Sequence, residues 1–167
     1  MAKISRSEYN ELLIEQTDMK KAEWADAIKN IAPLIRTKDP NDMTEASALG
    51  LSYRVKLLED IGFFLNELVG EQKIIKQLKR DKFCLYATGL NIDGTRPTGA
   101  IMNNPLIGLS KLNGSQRDMI ISGDLAEYEH SQEILTNTIE QLREYIKTID
   151  SFMFAIKNRL EIFQILK

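Results

Sequence analysis

The last third of the chain carries an unbroken heptad pattern of apolar residues. From residue 135 to residue 163 these side chains follow one another at alternating spacings of four and three. Such a pattern keeps one apolar stripe of a helix against a partner helix, whereas a strand would need alternation with period two. It therefore predicts a long helix over about 125–166, with Asp124 as its N-cap. The seam consists of Leu135, Ile139, Leu142, Ile146, Ile149, Met153, Ile156, Leu160 and Phe163.

The sequence does not decide which helix packs against this seam. The segment FMFAIKNRLEIFQILK at 152–167 adds apolar residues outside the seam, and a helix that is apolar around its circumference is buried on several sides. We therefore expect a homo-oligomer whose subunit count the pattern does not set. The alternative is that the seam packs inside the subunit, against an earlier helix. The residues predicted to make the oligomer contacts are Ile146, Ile149, Met153, Ile156, Leu160 and Phe163.

A second long helix is predicted over about 45–88, and it has two parallel apolar stripes. Together with the helix at 125–166 it predicts an all-α fold built on a long antiparallel helical hairpin. Gly62 and Gly70 are positions where this helix is able to bend, because glycine is unfavourable in a helix interior. One stripe contains Leu51, Val55, Leu58, Leu65 and Val69, and the other contains Leu57, Ile61, Phe64, Leu68, Ile75, Leu78 and Leu85.

The remaining segments complete a single predicted domain over 1–167. An N-terminal helix at about 7–31 and a linker occupy 1–43, the second helix occupies 44–89, and the heptad helix occupies 124–167. Between them, 90–123 holds five of the nine glycines, directly after Gly89, and predicts a flexible connecting loop, with a short strand or helical turn around Met119 to Ile121. No stretch reaches the roughly 20 apolar residues that span a bilayer, so we expect no membrane partner. The single Cys84 is typical of a reducing cytoplasm.

The charge is distributed unevenly along a chain whose net charge is only −2. Residues 73–117 contain eight basic and two acidic side chains, so this section is +6 and the remainder is −8. Such asymmetry indicates one cationic surface on an otherwise acidic chain.

The sequence offers little for catalysis or for a cofactor. His130 is the only histidine, and its E-x-x-H spacing with Glu127 would need a second such pair to hold a di-iron centre. Cys84 lies among apolar residues, and no glycine-rich segment has the lysine of a phosphate-binding loop. We therefore expect no enzyme, no metal site and no cofactor.

The end of the second helix carries the strongest functional signal. Lys73, Lys76 and Arg80 share one helix face, opposite Ile75 and Leu78, so the helix is able to pack on one side and present cations on the other. Such arrays contact phosphates, and Phe83 and Tyr86 would offer rings on which unpaired bases stack. The alternative is that lysines only keep an exposed helix end solvated. The predicted nucleic-acid-binding residues are Lys73, Lys76, Lys79, Arg80, Lys82 and Tyr86, with Arg96, Lys111 and Arg117 from a loop that closes over the strand.

The segment KQLKRDKFCLYATG, ending in Tyr86, Ala87, Thr88 and Gly89, and the phrase FAIKNRLEIF near the C-terminus resemble the UvsY-type recombination mediators of T-even-like phages. In that family a basic helix ends in two aromatics, Ser or Thr, and Gly, and a long helix closes on a phrase like IKNAIE. Ala87 departs from the pattern, and the nearest equivalent of a Lys–Ala–Arg–Leu element has an acid at Asp81.

The resemblance implies a non-catalytic oligomer that binds single-stranded DNA in the cytoplasm of a phage-infected cell. It also implies two protein partners, a RecA-like recombinase and a single-strand binding protein. The competing interpretation is a helical virion or assembly protein that forms a ring or collar through its C-terminal helix. In that case the basic face of Lys73–Lys82 meets solvent or an acidic protein.

Overall fold

The computed structural model describes residues 4–37, 39–99, 104–107 and 112–165. Over these ranges the chain is all-α, as predicted, with no strand. Three α-helices follow one another, α1 (Arg6–Ile31), α2 (Pro40–Thr88) and α3 (Gly114–Ile165), with a short 3-10 helix at Leu34–Arg36. No helix in the described part is both long enough and apolar enough to cross a bilayer.

Local side-chain caps set the first residue of α1 and of α2. Ser5 and Glu8 form a capping box, in which each side chain accepts a hydrogen bond from the other residue's backbone N–H, at 3.2 and 2.7 Å. Hydrogen bonding from the backbone N–H of Ser5, and then from its side chain, lowers the pKa of the Glu8 carboxyl. Asp39 accepts from the backbone N–H of Asn41 at 2.8 Å, and Pro40 takes the first helical position, where its missing N–H is not needed. Helix α2 therefore begins at Pro40, a few residues before the predicted start near Thr44.

The start of α3 corrects the sequence prediction more strongly. The helix begins at Gly114 rather than near 125, so Asp124 lies in its interior and is not its N-cap. A second capping box is responsible: Asn113 accepts from the backbone N–H of Gln116 at 2.9 Å, and Gln116 accepts from that of Asn113 at 3.0 Å. Residues 119–121, predicted as a short strand or a helical turn, are helical and belong to α3.

A glycine ends α2 where the sequence predicts. Gly89 has a φ of +76°, and its N–H donates to the carbonyl of Leu85 at 2.8 Å. This left-handed residue satisfies one of the last helix carbonyls at little conformational cost. A tight turn follows, in which the N–H groups of Asn91 and Gly94 donate to the carbonyls of Thr95 and Asn91.

The chain divides into two compact units, and each α-helix contributes residues to both. One, here called the basic unit, comprises Met1–Asn10 and Val69–Gln132, and the other, the heptad unit, comprises Glu11–Leu68 and Glu133–Lys167. The core of the basic unit is Tyr86, Ile121 and Leu125, with Leu78, Leu106, Ile107, Ile120 and Tyr128 packed against it. The heptad unit buries Met43, Ala46 and Ile156, and Leu34, Leu160 and Phe163 pack on this cluster.

The seam of α3 is used inside the subunit. Leu142, Ile149 and Ile156 are buried by the chain itself. A Cβ placed on Gly50 of α2 would approach Cγ of Met153 to 3.0 Å, so the two helices come close there. Of the two alternatives for the seam, packing within the subunit accounts for these residues. Ile146, Met153, Leu160 and Phe163 are half-buried in the same way.

The two apolar stripes of α2 have different fates. The stripe containing Leu57, Ile61 and Phe64 is buried. The stripe containing Leu51, Val55 and Leu58 remains exposed, with Val55 at 55% of its full accessible surface. Three further apolar residues, Phe154, Ile162 and Ile165, are exposed on α3 of the heptad unit. An apolar surface of this kind is typical of an unfilled interaction site.

Candidate nucleic-acid interface

Three cations form an exposed row on α2 of the basic unit. Lys73, Lys76 and Arg80 are exposed, and within the described ranges no ion pair is recorded for them. Ile75 and Leu85 of the same helix are buried. The helix thus packs through one face and presents positive charge on the other, as the spacing predicts.

The other two cations of this helix end are bound to carboxylates of α3. Lys79 pairs with Glu129 at 2.9 Å, and Lys82 pairs with Asp124 at 2.8 Å. These pairs are partly exposed, so each contributes little to stability by itself. The pairs matter more for the charge of the surface. Because Lys79 and Lys82 are each bound to a carboxylate, they are less able to neutralise a negatively charged ligand than the three residues of the row.

Tyr86 is not accessible for stacking as the chain is folded. Its side chain is 3% exposed, and its hydroxyl donates to the Asp124 carboxylate at 2.6 Å. Burial, together with this hydrogen bond and the charge of Asp124, raises the pKa of Tyr86 to about 12. Burial also acts on the Asp124 carboxyl, but the hydrogen bonds from Lys82 and Tyr86 outweigh it and lower the pKa of that group. Tyr86 therefore supports the helix contact beneath the surface.

Phe83 is the aromatic residue that the surface presents. It lies three residues before Tyr86 on α2, and its side chain is 48% exposed. The guanidinium of Arg117 lies 5.9 Å from the centre of its ring, near the limit for a cation–π contact. Arg117 is itself fixed by a 2.8 Å hydrogen bond from its guanidinium to the carbonyl of Leu112. An exposed ring beside cations is the combination with which proteins hold unpaired bases.

Two shallow recesses flank Arg80, which lines both. The first has a volume of about 390 Å³, and the second, beside Phe83, of about 400 Å³. Both are open to solvent and belong to the basic unit. The first is lined by Lys73, Lys76, Gln77, Arg80, Asp81 and Ile92. The second is lined by Lys79, Arg80, Phe83, Asp118, Ile121 and Ser122.

The cations predicted in the connecting loop are placed differently from one another. Arg117 lies in the first turns of α3 and reaches Phe83. Arg96 is exposed, and it lines neither of the two recesses. Lys111 lies outside the described residues. Of the predicted loop cations that the structure describes, Arg117 therefore lies against the ring of Phe83, although it lines neither recess itself.

Sequence reasoning missed two polar residues of the second recess, Asp118 and Ser122. It assigned both to a flexible loop, since the prolines and glycines before them are typical of one. The signal that would have found them is the Asn113-x-x-Gln116 capping box, which starts α3 early enough to place both on a helix.

Neither a metal site nor a known relative defines this surface. Among the described residues, no three His, Cys, Asp or Glu side chains are grouped so that they could hold a metal ion. His130 is exposed. No protein-family model, no curated protein and no solved structure matches this chain.

Proposed function

We propose that this chain is a non-catalytic protein that binds single-stranded DNA. The observation that carries the proposal is the exposed row of Lys73, Lys76 and Arg80 leading to the exposed ring of Phe83. The phosphates of a strand would lie along the row, and an unpaired base would stack on the ring. The bases of a duplex are stacked on one another inside the helix, so the exposed ring of Phe83 favours a single strand.

The arrangement of helices under this surface would be an antiparallel hairpin of α2 and α3. In the basic unit, Lys79 pairs with Glu129 and Lys82 with Asp124, so the partner numbers fall as the lysine numbers rise. In the heptad unit, Arg54 pairs with Asp150 at 2.8 Å. These pairs support the hairpin, and the two pairs of the basic unit join the basic helix end to α3.

A homo-oligomer would raise the affinity of such a surface. One row of three cations binds weakly at physiological salt, whereas several linked copies bind one strand with a high effective concentration. Because the seam of α3 is occupied within the subunit, the exposed apolar residues Leu51, Val55 and Leu58 are the better candidates for the contact between copies.

The role in the cell that fits this surface best is that of a recombination mediator. The resemblance to UvsY-type proteins supports it, and in such a role the oligomer loads a RecA-like recombinase and displaces a single-strand binding protein. Contacts with those two partners rest on the resemblance.

Fluorescence anisotropy of a labelled oligo-dT strand over a series of salt concentrations tests the proposal. We expect binding that weakens as salt rises, with a slope of roughly 0.7 per neutralised phosphate in a plot of log affinity against log salt. The variant Lys76→Glu/Arg80→Glu should lose binding at least tenfold and keep its helical circular dichroism, since both side chains are exposed.

Lys56→Glu is the matched control, because Lys56 is an exposed lysine of the same helix far along the chain from the row. It should bind oligo-dT as the unmodified protein does. If the double variant binds equally well, or if the unmodified protein fails to bind at low salt, the proposed function is wrong.

A helical virion or assembly protein is the second candidate, and the exposed stripe of Leu51, Val55 and Leu58 favours it. A structural subunit uses such a stripe for contacts between copies and needs no nucleic acid. Stable incorporation into purified particles, together with salt-insensitive self-association and no oligo-dT binding, would support this candidate.

A further inference from the structure

The two recesses beside Arg80 differ in charge. The first holds three cations, Lys73, Lys76 and Arg80, against the one carboxylate of Asp81. In the second, Lys79 is paired with Glu129, so Arg80 is the remaining cation and faces the carboxylate of Asp118. The first recess therefore suits phosphate, and the second suits a group without net charge.

The second recess also has the shape and lining of a site for a ring. Phe83 offers a partly exposed aromatic surface at one side, and Ile121 adds an apolar wall. Its volume of about 400 Å³ is ample for one nucleobase with its sugar outside. Stacking on the ring accepts any base, so selection among bases must come from the polar groups of the recess.

Asp118 is the polar group that discriminates. An ionised carboxylate only accepts hydrogen bonds, and in the described ranges no hydrogen bond or ion pair is recorded for it. Cytosine, adenine and guanine carry an exocyclic amine that donates to such a group, and carboxylates read cytosine N4 in this way. Thymine has no amine and flanks its single N–H with two carbonyl oxygens, which a carboxylate repels.

We propose that the second recess is a nucleobase site in which Asp118 selects bases that carry an exocyclic amine. The hydroxyl of Ser122, in the same recess, is able to donate to the unprotonated ring nitrogen next to that amine. This inference rests on the proposed function, because the site is filled only if the row of cations holds a strand.

The test compares short oligo-dC and oligo-dT strands of equal length at slightly alkaline pH, where cytosine is unprotonated. The full chain should bind oligo-dC about fivefold or more tightly than oligo-dT, the lower end of the discrimination that base-edge hydrogen bonds provide. Asp118→Ala should bring the ratio of the two affinities close to one. Glu127→Gln removes a similar exposed charge elsewhere on α3 and should leave the ratio unchanged.

Two further variants separate the parts of the site. Phe83→Ala should weaken both strands by a similar factor, since stacking is common to them. Asp118→Asn should shrink or invert the preference, because an amide is able to donate to thymine O4, and it serves as the informative variant if Asp118→Ala fails to fold.

Equal binding of both strands by the unmodified protein, or an unchanged preference in both Asp118 variants, overturns this inference alone. Binding of neither strand overturns the proposed function as well.

Discussion

The hydroxyl of Tyr86, on α2, donates a hydrogen bond of 2.6 Å to the carboxylate of Asp124, on α3. The same oxygen, Oδ2, accepts from the ammonium of Lys82 at 2.8 Å. Two consecutive turns of one helix are thus fastened to a single acidic side chain of the other. This triad joins the basic end of α2 to α3, and it therefore links the stability of the basic unit to the arrangement of its surface.

Tyr86→Phe should lower the free energy of unfolding by about 1–3 kcal/mol, because it leaves the partly buried Asp124 carboxylate without one of its two donors. Urea denaturation followed by circular dichroism measures the change. Tyr53→Phe is the control, since no hydrogen bond of the Tyr53 hydroxyl is recorded among the described residues. A loss as large for Tyr53→Phe would mean that the triad contributes nothing specific.

The Tyr86 contribution should disappear at alkaline pH. Its pKa is raised from 10.0 to about 12 in the folded chain, so the stabilisation is complete below pH 10 and is lost as the pH rises toward 12. The raised pKa corresponds to about 2–3 kcal/mol. Urea midpoints of the unmodified protein and Tyr86→Phe should converge over this range, since the variant lacks this titrating hydroxyl. A constant gap between the two midpoints would contradict the raised pKa.

A buried ion pair in the basic unit should be costly to break from one side. Arg6 pairs with Glu71, and Glu71 is only 5% exposed. The guanidinium of Arg6 also donates a hydrogen bond to Ser131, and it lies over the rings of Tyr9 and Tyr128 at 4.5 and 4.3 Å from their centres. Arg6→Met should destabilise the protein by about 3–5 kcal/mol, because the Glu71 charge is then buried without a partner.

Adding Glu71→Leu to Arg6→Met should recover most of that loss, since no buried charge then remains. Denaturation of the two single variants and the double variant gives a double-mutant cycle. If the double variant is no more stable than Arg6→Met, the hydrogen bond to Ser131 and the tyrosine contacts are the larger contribution.

The heptad seam should behave as a core and not as a contact between copies. Ile149→Ala should cost about 2–5 kcal/mol and leave the sedimentation coefficient unchanged, because Ile149 is buried by its own chain. Val55→Ala should cost no more than about 0.5 kcal/mol, since Val55 is exposed. Dissociation of a larger particle on Ile149→Ala would place the seam between subunits.

Self-association should instead depend on the exposed stripe of α2. Val55→Glu places a charge among Leu51 and Leu58 and should shift the protein toward monomer in sedimentation velocity, without loss of helicity. Lys56→Glu changes the charge of the next residue along the helix and should leave the association state as it is. A monomeric unmodified protein would exclude this role for the stripe.

The helical character of the chain and the cationic face at the end of α2 could be predicted from residue spacing, because the 3.6-residue period is repeated over many turns. Which stripe of α2 is buried could not. Leu57 and Val55 stand in stripes of the same period and similar hydrophobicity, and the choice between them depends on the partner helix. The seam of α3 posed the same difficulty, since a heptad pattern does not say whether its partner is in the same chain.

The site was predictable in its cations and not in its details. Lys73, Lys76 and Arg80 lie on one face because helical geometry places them there. The burial of Tyr86 and the exposure of Phe83 depend on where α3 lies, and so does the pairing of Lys79 and Lys82. Sequence gave no indication that Arg6 would join Glu71 and Ser131, because these residues are far apart along the chain and each is ordinary by itself.

The capping box at Asn113 and Gln116 has a consequence for how this chain tolerates change. It defines the first turn of α3 locally, and the positions of Arg117 and Asp118 along the helix follow from it. Insertions or deletions upstream of Asn113 would alter the length of the tether between α2 and α3 without altering the register of these side chains. The length of the tether and the positions of these α3 side chains are therefore able to change independently. Loss of the Asn113 cap alone, in contrast, would leave the first turn of α3 less well defined and would displace these side chains.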